Sequence, residues 1–550
     1  MGKMTSTPRR GLSRRGFLKH AGAGLAAAPL LPACSNSNVP ASAPAGGDAR
    51  VGADNPFQHG VASGDPMSDR VMFWTRVSTA ADSLVVDLAV YSDPDLSLFV
   101  TGTRATASAA RDYTVKLDVA GLEPGTTYYY RFSAAGFDSP IGRTRTAPLG
   151  GVDQLRFGVV SCSSYAHGYF NAYRHLAARA DIDAILHLGD YIYEYGTNEY
   201  GNVRPYEPAH EMITLEDYRT RHAYYKQEPD LMELHRQFPF ITTWDDHEST
   251  DNSWRDSAVN HTEGEEGVWA IRKAWAQQAY DEWMPIRYPE TGRTDKIWRR
   301  FNYGDLADIF VLDTRLYDRD EPDGIPADPA VAKDPARRML GPEQMNWLLD
   351  GLASSSAQWK LIAQQVVFHQ WQLVPGAQAT GGGTQLNGDA WDGYQAERQQ
   401  IIDALRASSI QNVVVLTGDV HSSWAADITD DPNNPLAYNP ATGDGSVAVE
   451  FVTTSVTSPF AIDIPEGQQA FLANNPHIRY TDWDEKGYLL LDLSSTAVTG
   501  EYWYVSEHTA PGGTESFALS YRSESGSQRL EVVPGTSPSA GRSDADPLAP

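Results

Sequence analysis

The sequence is poor in cysteine, in basic residues and in long apolar runs. It has two Cys among 550 residues, and 44 Lys and Arg against 71 Asp and Glu. So little cysteine excludes a scaffold built from disulfides. The formal net charge of −27 argues against nucleic acid as a general ligand, because phosphate backbones bind basic surfaces. Apolar residues at 41% and aromatic residues at 11% exclude a mostly disordered chain.

The N-terminal segment, residues 1–34, is typical of a twin-arginine export signal. It carries six Lys or Arg, no Asp or Glu, and the pattern SRRGFLK at 13–19. The weakly apolar stretch 21–33 that follows is shorter than the ~20 residues that a membrane span needs. We therefore expect the twin-arginine translocase to export the protein. Its destination is then periplasmic, extracellular or anchored on the outer side of the cytoplasmic membrane.

The end of this signal leaves two interpretations open. Leu31-Pro32-Ala33-Cys34 resembles a bacterial lipobox, with Pro32 as an imperfect fit, and predicts a lipid anchor through Cys34. Ordinary cleavage nearby, or at Ala41-Ser42-Ala43, is the alternative. A processed chain then keeps Cys162 as its one internal thiol, and a single thiol in an exported protein calls for a specific role.

Composition divides the rest of the chain into four segments. Residues 35–54 are small, polar and Pro-rich and predict a flexible linker. Short alternating runs in residues 55–148 predict a small β-sandwich, and residues 122–128 resemble the tyrosine corner of fibronectin type III-like domains. Residues 149–524 alternate apolar strands with helices, which predicts an α/β domain. Residues 525–550 are rich in Ser, Gly, Pro and Asp and predict a disordered tail.

In the α/β segment, residues of the metal-binding types follow four apolar strands. They are Cys162; Asp190, with Tyr193 three residues on; the run Asp245 to Glu248; and the run Asp419 to His421. Taken singly, each has an ordinary structural explanation as a core thiol, a turn or a solvated loop. Strand ends meet at one edge of an open sheet, so the ordered set predicts one pocket with two cations that polarise a substrate oxygen.

Five motifs together resemble the alkaline phosphatase D family of metallophosphoesterases. They are SCSS (161–164), HLGDYIYEYG (187–196), WDDHESTDNSW (244–254), WDGY (391–394) and TGDVHSS (417–423). The resemblance covers roughly residues 10–520. It implies a metallophosphatase-type layered αββα domain preceded by a small fibronectin III-like β-sandwich.

The resemblance also implies a metal site. Ferric iron is expected at Cys162, the bridging Asp190, Tyr193 and His421. Calcium shares Asp190 and is expected to take Asp246 and Asp419 as well. The donor chemistry agrees, because thiolate, phenolate and imidazole suit a transition metal, whereas oxygen ligands alone suit calcium. His247 matches the superfamily histidine that stabilises transition-state charge or protonates the leaving group.

The sequence departs from the general superfamily pattern at three places. Ser161-Cys162 replaces an aspartate and histidine pair, Gln364 or Gln365 stands where a histidine is expected, and Asp419 replaces another histidine. These departures argue against a di-zinc site.

Other polar residues near the motifs have weaker signals. Asn252 and Arg255 follow the DDHE run and are candidate substrate contacts. Asp392 and Tyr394 are interpreted as supporting residues. The glycines at 381–383 do not form a phosphate loop, because no Lys-Ser or Lys-Thr follows them.

The function predicted from these residues is that of an exported phosphoesterase that hydrolyses phosphate monoesters. Diesters are a second substrate class to be considered. A metal-bound hydroxide is expected to attack phosphorus at the Fe/Ca centre. Two alternatives stay open: a phospholipase D-type phosphodiesterase, an activity also found in the resembled family, and a non-catalytic, surface-anchored binding protein.

Overall fold

The computed structural model describes residues 55–462, 464, 467–535, 537 and 545–550. The predicted export signal, the linker at 35–54 and Cys34 lie outside the described residues. Among the helices that are described, none is both long enough and apolar enough to cross a membrane.

The N-terminal segment folds as the predicted β-sandwich. One sheet contains β3, β4 and β6–β8, and β1, β2 and β5 face it across an apolar core. In that core the rings of Phe73 and Tyr130 lie 4.8 Å apart, edge to face. The strands are β1 (Val61–Gly64), β2 (Arg70–Arg76), β3 (Ser83–Tyr91), β4 (Phe99–Ser108), β5 (Thr114–Ala120), β6 (Thr127–Ala134), β7 (Phe137–Asp138) and β8 (Gly142–Arg145).

The tyrosine corner suggested by residues 122–128 is present. The backbone N–H of Glu123 donates to the hydroxyl oxygen of Tyr128 over 2.8 Å. This bond fixes the turn into β6, as in sandwiches of this type.

Sixteen further strands and eight helices follow in the described chain. The strands are β9 (Gln154–Val160), β10 (Ala184–His187), β11 (Pro239–Thr242), β12 (Arg299–Tyr303), β13 (Ala307–Val311), β14 (Trp359–Ala363), β15 (Gln372–Val374), β16 (Thr384–Gln385), β17 (Val413–Thr417), β18 (Ser423–Ile428), β19 (Ala448–Val452), β20 (Ile478–Asp482), β21 (Gly487–Ser494), β22 (Ala497–Val505), β23 (Glu515–Glu524) and β24 (Glu531–Val533). The helices are α1 (Asn171–Ala177), α2 (Leu215–Tyr225), α3 (Pro229–Gln237), α4 (Trp269–Trp283), α5 (Pro329–Ala332), α6 (Gly341–Ser354), α7 (Gln395–Ala407) and α8 (Gly467–Asn474).

These elements form the predicted αββα layers. One sheet has the order β24-β23-β22-β21-β9-β10-β11-β1-β2-β5, and the other has the order β12-β13-β14-β17-β19-β18-β20. An apolar core that includes Phe157 and Leu416 lies between them. The outer face of the first sheet packs on α1–α4, and that of the second packs on α6 and α7. Strands β9, β10 and β11 are parallel, as are β13, β14, β17 and β19.

The sandwich and the layered domain share one continuous sheet. Strand β1 pairs in parallel with β11, so the predicted boundary at 148 separates chain segments but not sheets. The pairing covers an edge of β11 that would otherwise expose free backbone groups. Lys116 of β5 reinforces the junction, with its ammonium 2.7 Å from the Asp281 carboxylate.

The described parts of 525–550 differ from the expected disordered tail. Strand β24 extends the larger sheet beside β23. Further on, the Tyr129 hydroxyl donates to the Pro547 carbonyl over 2.5 Å, and Gln237 exchanges two hydrogen bonds with the backbone of Ala549. Leu548 packs against the core beside α1–α4. Hydrogen bonds hold these described residues in place, and disorder over 525–550 as a whole stays a prediction.

Candidate metal centre and catalytic cavity

The predicted metal ligands do converge. They lie in the loops that follow β9, β10, β11 and β17, whose carboxyl ends share one edge of the paired sheets. Three sets of side chains bring ligand atoms within 4.8 Å of one another; they are Cys162, Asp190 and His421; Asp190, Asp246 and His247; and Asp245, Asp246 and Asp419. Asp190 belongs to two of the sets, which is the arrangement that a bridging ligand requires.

Four of these ligand residues adopt left-handed backbone conformations. The φ angles are +59° at Cys162, +55° at Asp190, +61° at Asp419 and +58° at His421. Each such residue costs on the order of 1–3 kcal/mol, and strained residues of this kind concentrate at functional sites. The four residues lie in the loops that follow three strands, β9, β10 and β17.

The glycine before Asp190 is required by close packing. Gly189 has φ of +105°, and a Cβ there would lie 2.4 Å from the Cβ of Asp245. The backbone of the β10 loop therefore passes directly against the β11 loop, which brings Asp190 next to Asp246.

Tyr193 joins the first set, because its phenol lies between the carboxylate of Asp190 and the imidazole of His421. The Tyr193 hydroxyl lies 2.9 Å from Oδ2 of Asp190 and 3.2 Å from Nε2 of His421. The other ring nitrogen of His421, Nδ1, lies 2.8 Å from the Pro459 carbonyl. That bond assigns the proton to Nδ1 and leaves Nε2 as the metal-facing nitrogen. The Ser458 hydroxyl donates to the Tyr193 oxygen over 2.6 Å.

The acid groups of this set favour a cation. Burial raises the pKa of the Cys162 thiol well above its ordinary value, and the nearby Asp190 charge adds to the shift. Burial and Asp190 raise the pKa of Tyr193 in the same way. A cation would offset both effects by stabilising thiolate and phenolate. Asp190 also keeps one buried oxygen, Oδ1, without a hydrogen-bond partner, so the donor set fits a metal ion.

The third set contacts a buried cation that the sequence analysis missed. The Arg315 guanidinium is fully buried and binds Asp245, Asp419 (2.5 Å) and Asp389 (2.8 Å). Burial alone would raise the pKa of Asp246, but Arg315 and His247 hold it well below its ordinary value. Burial raises the pKa of Asp419 to about 8 despite Arg315. One arginine is therefore too little positive charge for this group of carboxylates, which fits a hard cation among oxygen ligands.

Glu248 ties two ligand loops together. Its carboxylate accepts backbone N–H bonds from Asp190 (3.1 Å), Tyr191 (2.7 Å) and Asp245 (2.7 Å). Burial, together with the charge of Asp190, raises its pKa to about 8. Glu248 thus fixes the separation of the β10 and β11 loops from beneath the site.

His247 is held by a carboxylate that the sequence analysis did not single out. Its Nδ1 lies 2.7 Å from Oε2 of the fully buried Glu194. Glu194 is fixed in turn by Thr250, by the backbone N–H of Asp251 and by Asn260. Burial lowers the pKa of His247, but Asp246 and Glu194 more than reverse this, so the pKa lies well above its ordinary value. A protonated imidazole suits both predicted roles of His247.

These groups open into a cavity of about 590 Å³. The polar part of its lining consists of Asp190, Tyr195, Tyr200, Asp246, His247, Asp251, Asn252, Asn387, Asp389, Asp419 and His421. Cys162, Tyr193 and Arg315 are fully buried behind it.

The two predicted substrate contacts separate. Asn252 lines the cavity, and its backbone N–H donates to Oδ2 of Asp246 over 2.6 Å. Arg255 does not reach the cavity. Its guanidinium forms ion pairs at the surface with three carboxylates, those of Asp256, Asp318 and Asp320.

The WDGY residues support the fold, as interpreted. Asp392 accepts the Trp371 backbone N–H over 2.9 Å and pairs with Arg398 over 2.8 Å. The Tyr394 hydroxyl donates to the Asp320 carbonyl over 2.7 Å. Neither side chain lines the cavity.

This separation gives a prediction for paired variants. Arg255→Ala should change kcat/KM by less than about twofold, because substitutions at the surface away from a site have small effects. Asn252→Ala should lower kcat/KM by about 10- to 100-fold, the effect of losing one hydrogen bond to a charged group. Steady-state phosphate release from the two variants, side by side, measures the difference. A large loss in Arg255→Ala alone would contradict the placement.

At the strand ends of this αββα fold, two sets of metal-binding side chains share one aspartate. This arrangement defines a class of protein. That class is the metal-dependent hydrolases of phosphoric esters, in which clustered ligands and a histidine act on one phosphoryl group.

Comparison with known proteins gives the family. Residues 157–502 match the PhoD-like phosphatase family, and residues 41–148 match its N-terminal domain. The chain is 37% identical over 510 residues to alkaline phosphatase D of Bacillus subtilis (strain 168), which covers 89% of this chain and 85% of the relative. A solved structure of PhoD superposes with a TM-score of 0.80 at 36% identity, covering 90% of this chain and 95% of that one. The chain belongs to the PhoD-like phosphatase family and is a phosphoric ester hydrolase.

Proposed function

We propose that the protein is an exported, metal-dependent phosphatase that releases phosphate from monoesters and also accepts diesters. The observation that carries this proposal is the pair of ligand sets that share Asp190 beneath one cavity. Membership of a phosphatase family favours this function over a non-catalytic binding protein.

In this proposal Cys162, Asp190, Tyr193 and His421 hold Fe³⁺, and Asp190, Asp246 and Asp419 hold Ca²⁺. The mixed sulfur, phenol and imidazole donors of Cys162, Tyr193 and His421 favour a transition metal, and the oxygen-only donors of Asp190, Asp246 and Asp419 favour calcium. When bound, the cations supply Lewis acidity, which neutralises phosphoryl charge and lowers the pKa of a water molecule.

The chain's own residues then position the substrate and supply a proton to its leaving group. Glu194 fixes His247 through Nδ1, so Nε2 is the nitrogen available to the substrate. We assign His247 the role of donating a proton from Nε2 to the leaving alcohol oxygen, or of stabilising charge on the phosphoryl oxygens. Asn252, at the cavity surface, is assigned a phosphate contact.

Metal analysis tests the centre. Protein from a host with twin-arginine export should contain iron and calcium and show a visible charge-transfer band. Cys162→Ala or Tyr193→Phe should lose or shift this band, whereas Tyr224→Phe should keep it, since the Tyr224 hydroxyl donates to the Pro205 carbonyl and Tyr224 does not line the cavity. Two zinc ions, or a folded protein with no metal, would overturn the assignment.

Release of phosphate from p-nitrophenyl phosphate, compared with cleavage of phosphatidylcholine, separates a phosphatase from a phospholipase D-type enzyme.

Export is proposed from the pattern at 13–19 alone. Replacing Arg14 and Arg15 by Lys should retain the protein in the cytoplasm, because the paired arginines are the translocase signal. Replacing Arg9 and Arg10 by Lys is the matched control and should leave export intact. Cell fractionation with immunoblotting measures where each of the two variants is located. Normal export of the first variant would contradict the twin-arginine route.

A separate variant tests the lipid anchor. If Cys34→Ser moves the protein from the membrane fraction to the soluble fraction, a lipid anchor through Cys34 is identified.

A further inference from the structure

Three tyrosine rings pack around the imidazole of His247. The ring of Tyr193 stacks on it, with the ring centroids 4.3 Å apart and the planes inclined by 29°. The ring of Tyr195 lies 5.5 Å from it at 53°, and that of Tyr200 lies 6.3 Å from it at 20°. We call these three side chains the tyrosine cluster, since Tyr195 and Tyr200 also pack on each other with centroids 4.8 Å apart. Ring pairs at such separations attract each other.

Two members of the tyrosine cluster have no part in the site as described so far. Tyr193 is buried and lies among the proposed metal ligands. Tyr195 and Tyr200 are partly exposed and line the catalytic cavity. Their contacts with His247 therefore lie at the surface where a substrate would bind.

A buried arginine holds the backbone that carries the cluster. Arg221 of α2 is fully buried and donates to four backbone carbonyls of the loop after β10, those of Tyr193, Tyr195, Glu207 and Pro208. The bonds to Tyr195 and Glu207 each span 3.0 Å. One guanidinium thus fixes both ends of the loop, so the rings approach His247 from a constrained backbone.

Tyr200 is supported from the neighbouring loop. The ring of His167 contacts it edge to face, with centroids 4.4 Å apart. Nδ1 of His167 lies 2.9 Å from the Ser164 hydroxyl, in the loop after β9. The tyrosine cluster is therefore held by two of the loops that also carry the metal ligands.

The contact with Glu194 fixes one atom of the imidazole of His247 but not the plane of the ring. That contact joins Oε2 of Glu194 to Nδ1 over 2.7 Å. The torsion that turns a histidine ring has a broad energy profile, so packing against the ring decides its plane. The tyrosine cluster supplies this packing, and the plane sets the direction in which Nε2 points.

We propose that Tyr195 and Tyr200 are positioning residues, whose rings hold the imidazole of His247 in the plane that directs Nε2 at the substrate. This inference rests on the role that the proposed function gives to His247. It assigns the effect to the rings and not to the hydroxyl groups, because the ring contacts are what the structure places beside His247. Displacing a reacting group by about 1 Å can lower a rate by about a hundredfold.

Paired substitutions separate the rings from the hydroxyl groups. Tyr195→Leu/Tyr200→Leu should lower kcat on butyl phosphate by about 10- to 100-fold with metal content unchanged. Tyr195→Phe/Tyr200→Phe keeps both rings and should retain kcat within about threefold. Tyr224→Leu is the control for loss of a ring, since Tyr224 is partly exposed and does not line the cavity. An equal loss in the Phe and Leu pairs would overturn the inference and assign the effect to the hydroxyl groups.

A double-mutant cycle tests whether the rings act through His247. In a His247→Asn background, the two Leu substitutions should change kcat by less than about twofold, because the imidazole that they position is already gone. A general distortion of the loop would lower kcat in both backgrounds. Equal losses in the two backgrounds would therefore overturn the inference. Tyr200→Leu alone allows the same cycle if the double variant does not fold, with a loss of about 3- to 10-fold expected in the wild-type background.

Crystal structures separate this inference from the proposed function, because they need no turnover. The imidazole of His247 should occupy more than one orientation in the Leu pair, or in Tyr200→Leu, and a single orientation in the Phe pair. An unchanged single orientation after loss of the rings would overturn the inference, whether or not the protein hydrolyses esters. The expected change, in a metal-loaded wild-type protein that hydrolyses no ester, would support the positioning by the rings and overturn the phosphatase proposal.

Discussion

Replacement of Asp190 by Asn should lower kcat/KM by about a thousandfold or more and remove most of the bound metal. Asp190 belongs to two of the three sets of metal-binding side chains, and its Oδ1 is buried without a hydrogen-bond partner. The amide keeps the size of the side chain but removes the negative charge from both sites at once. Loss of electrostatic stabilisation at a phosphoryl site costs rates of this order.

Stability should move in the opposite direction from activity. Without metal, Asp190 lies among the carboxylates Asp245, Asp246 and Asp419, and removing one like charge relieves repulsion. We therefore expect the melting temperature of the metal-free Asp190→Asn protein to equal or exceed that of metal-free wild type. The added stability that metal gives wild type should disappear.

Elemental analysis, calorimetric melting with and without chelator, and phosphate release measure these effects together. Asp153→Asn is the matched control, because Asp153 is exposed and lies directly before β9. Full metal content with normal turnover in Asp190→Asn would contradict the shared-ligand assignment. Low activity with normal metal would assign Asp190 to catalysis instead of binding.

Replacement of His247 by Asn should lower kcat about 10²- to 10⁴-fold on alkyl phosphates, with metal content unchanged. The loss should be much smaller on p-nitrophenyl phosphate, because its leaving group needs no proton. His247 lines the cavity beside Asp190 and Asp246 and is held through Nδ1 by Glu194. This dependence on the leaving group is a readout that a purely structural role would not produce.

Glu194→Gln should give a smaller loss, about 10- to 100-fold, on the same alkyl esters. The amide can still contact Nδ1, but it no longer offers a charge that favours the protonated ring. His210→Asn is the control for the histidine change, since His210 is exposed and contacts Asp217. Equal losses on alkyl and nitrophenyl esters in His247→Asn would contradict proton donation and leave charge stabilisation as the role.

Much of the fold could be predicted from local patterns. In the sequence, the apolar runs at 157–160, 184–188, 309–313 and 413–416 predict strands, and the structure has β9, β10, β13 and β17 there. The helical pattern at 268–284 likewise predicts a helix, which is α4. The apolar residues at 359–368 predict a longer strand than β14, which ends at Ala363. The next two side chains make polar contacts instead: Gln364 donates to Thr417 and Gln365 donates to Thr243. The pairing of β1 with β11 could not be predicted, because register between distant strands has no local signal.

The candidate metal-binding residues were predictable because each lies in a loop that follows an apolar strand. Arg315, Glu194 and Glu248 were not, although two of them lie inside the motifs. Their roles depend on the residue that each one faces: Asp419 for Arg315, His247 for Glu194 and the Asp190 backbone for Glu248. The surroundings of Arg255 were also not predictable, since three surface carboxylates pair with its guanidinium, and its contact with substrate stays a prediction.

By itself, the sequence determined which residues can bind metal, because side-chain chemistry and strand-end position are both local properties. The tertiary structure alone decided which carboxylate lies in two of the sets and which nitrogens of His247 and His421 are hydrogen-bonded to a neighbour. Those choices depend on distances of a few ångströms between residues far apart in the chain, such as 3.2 Å from Tyr193 to His421. Such distances are set by the packing of two sheets and by strained loop backbones at their shared edge.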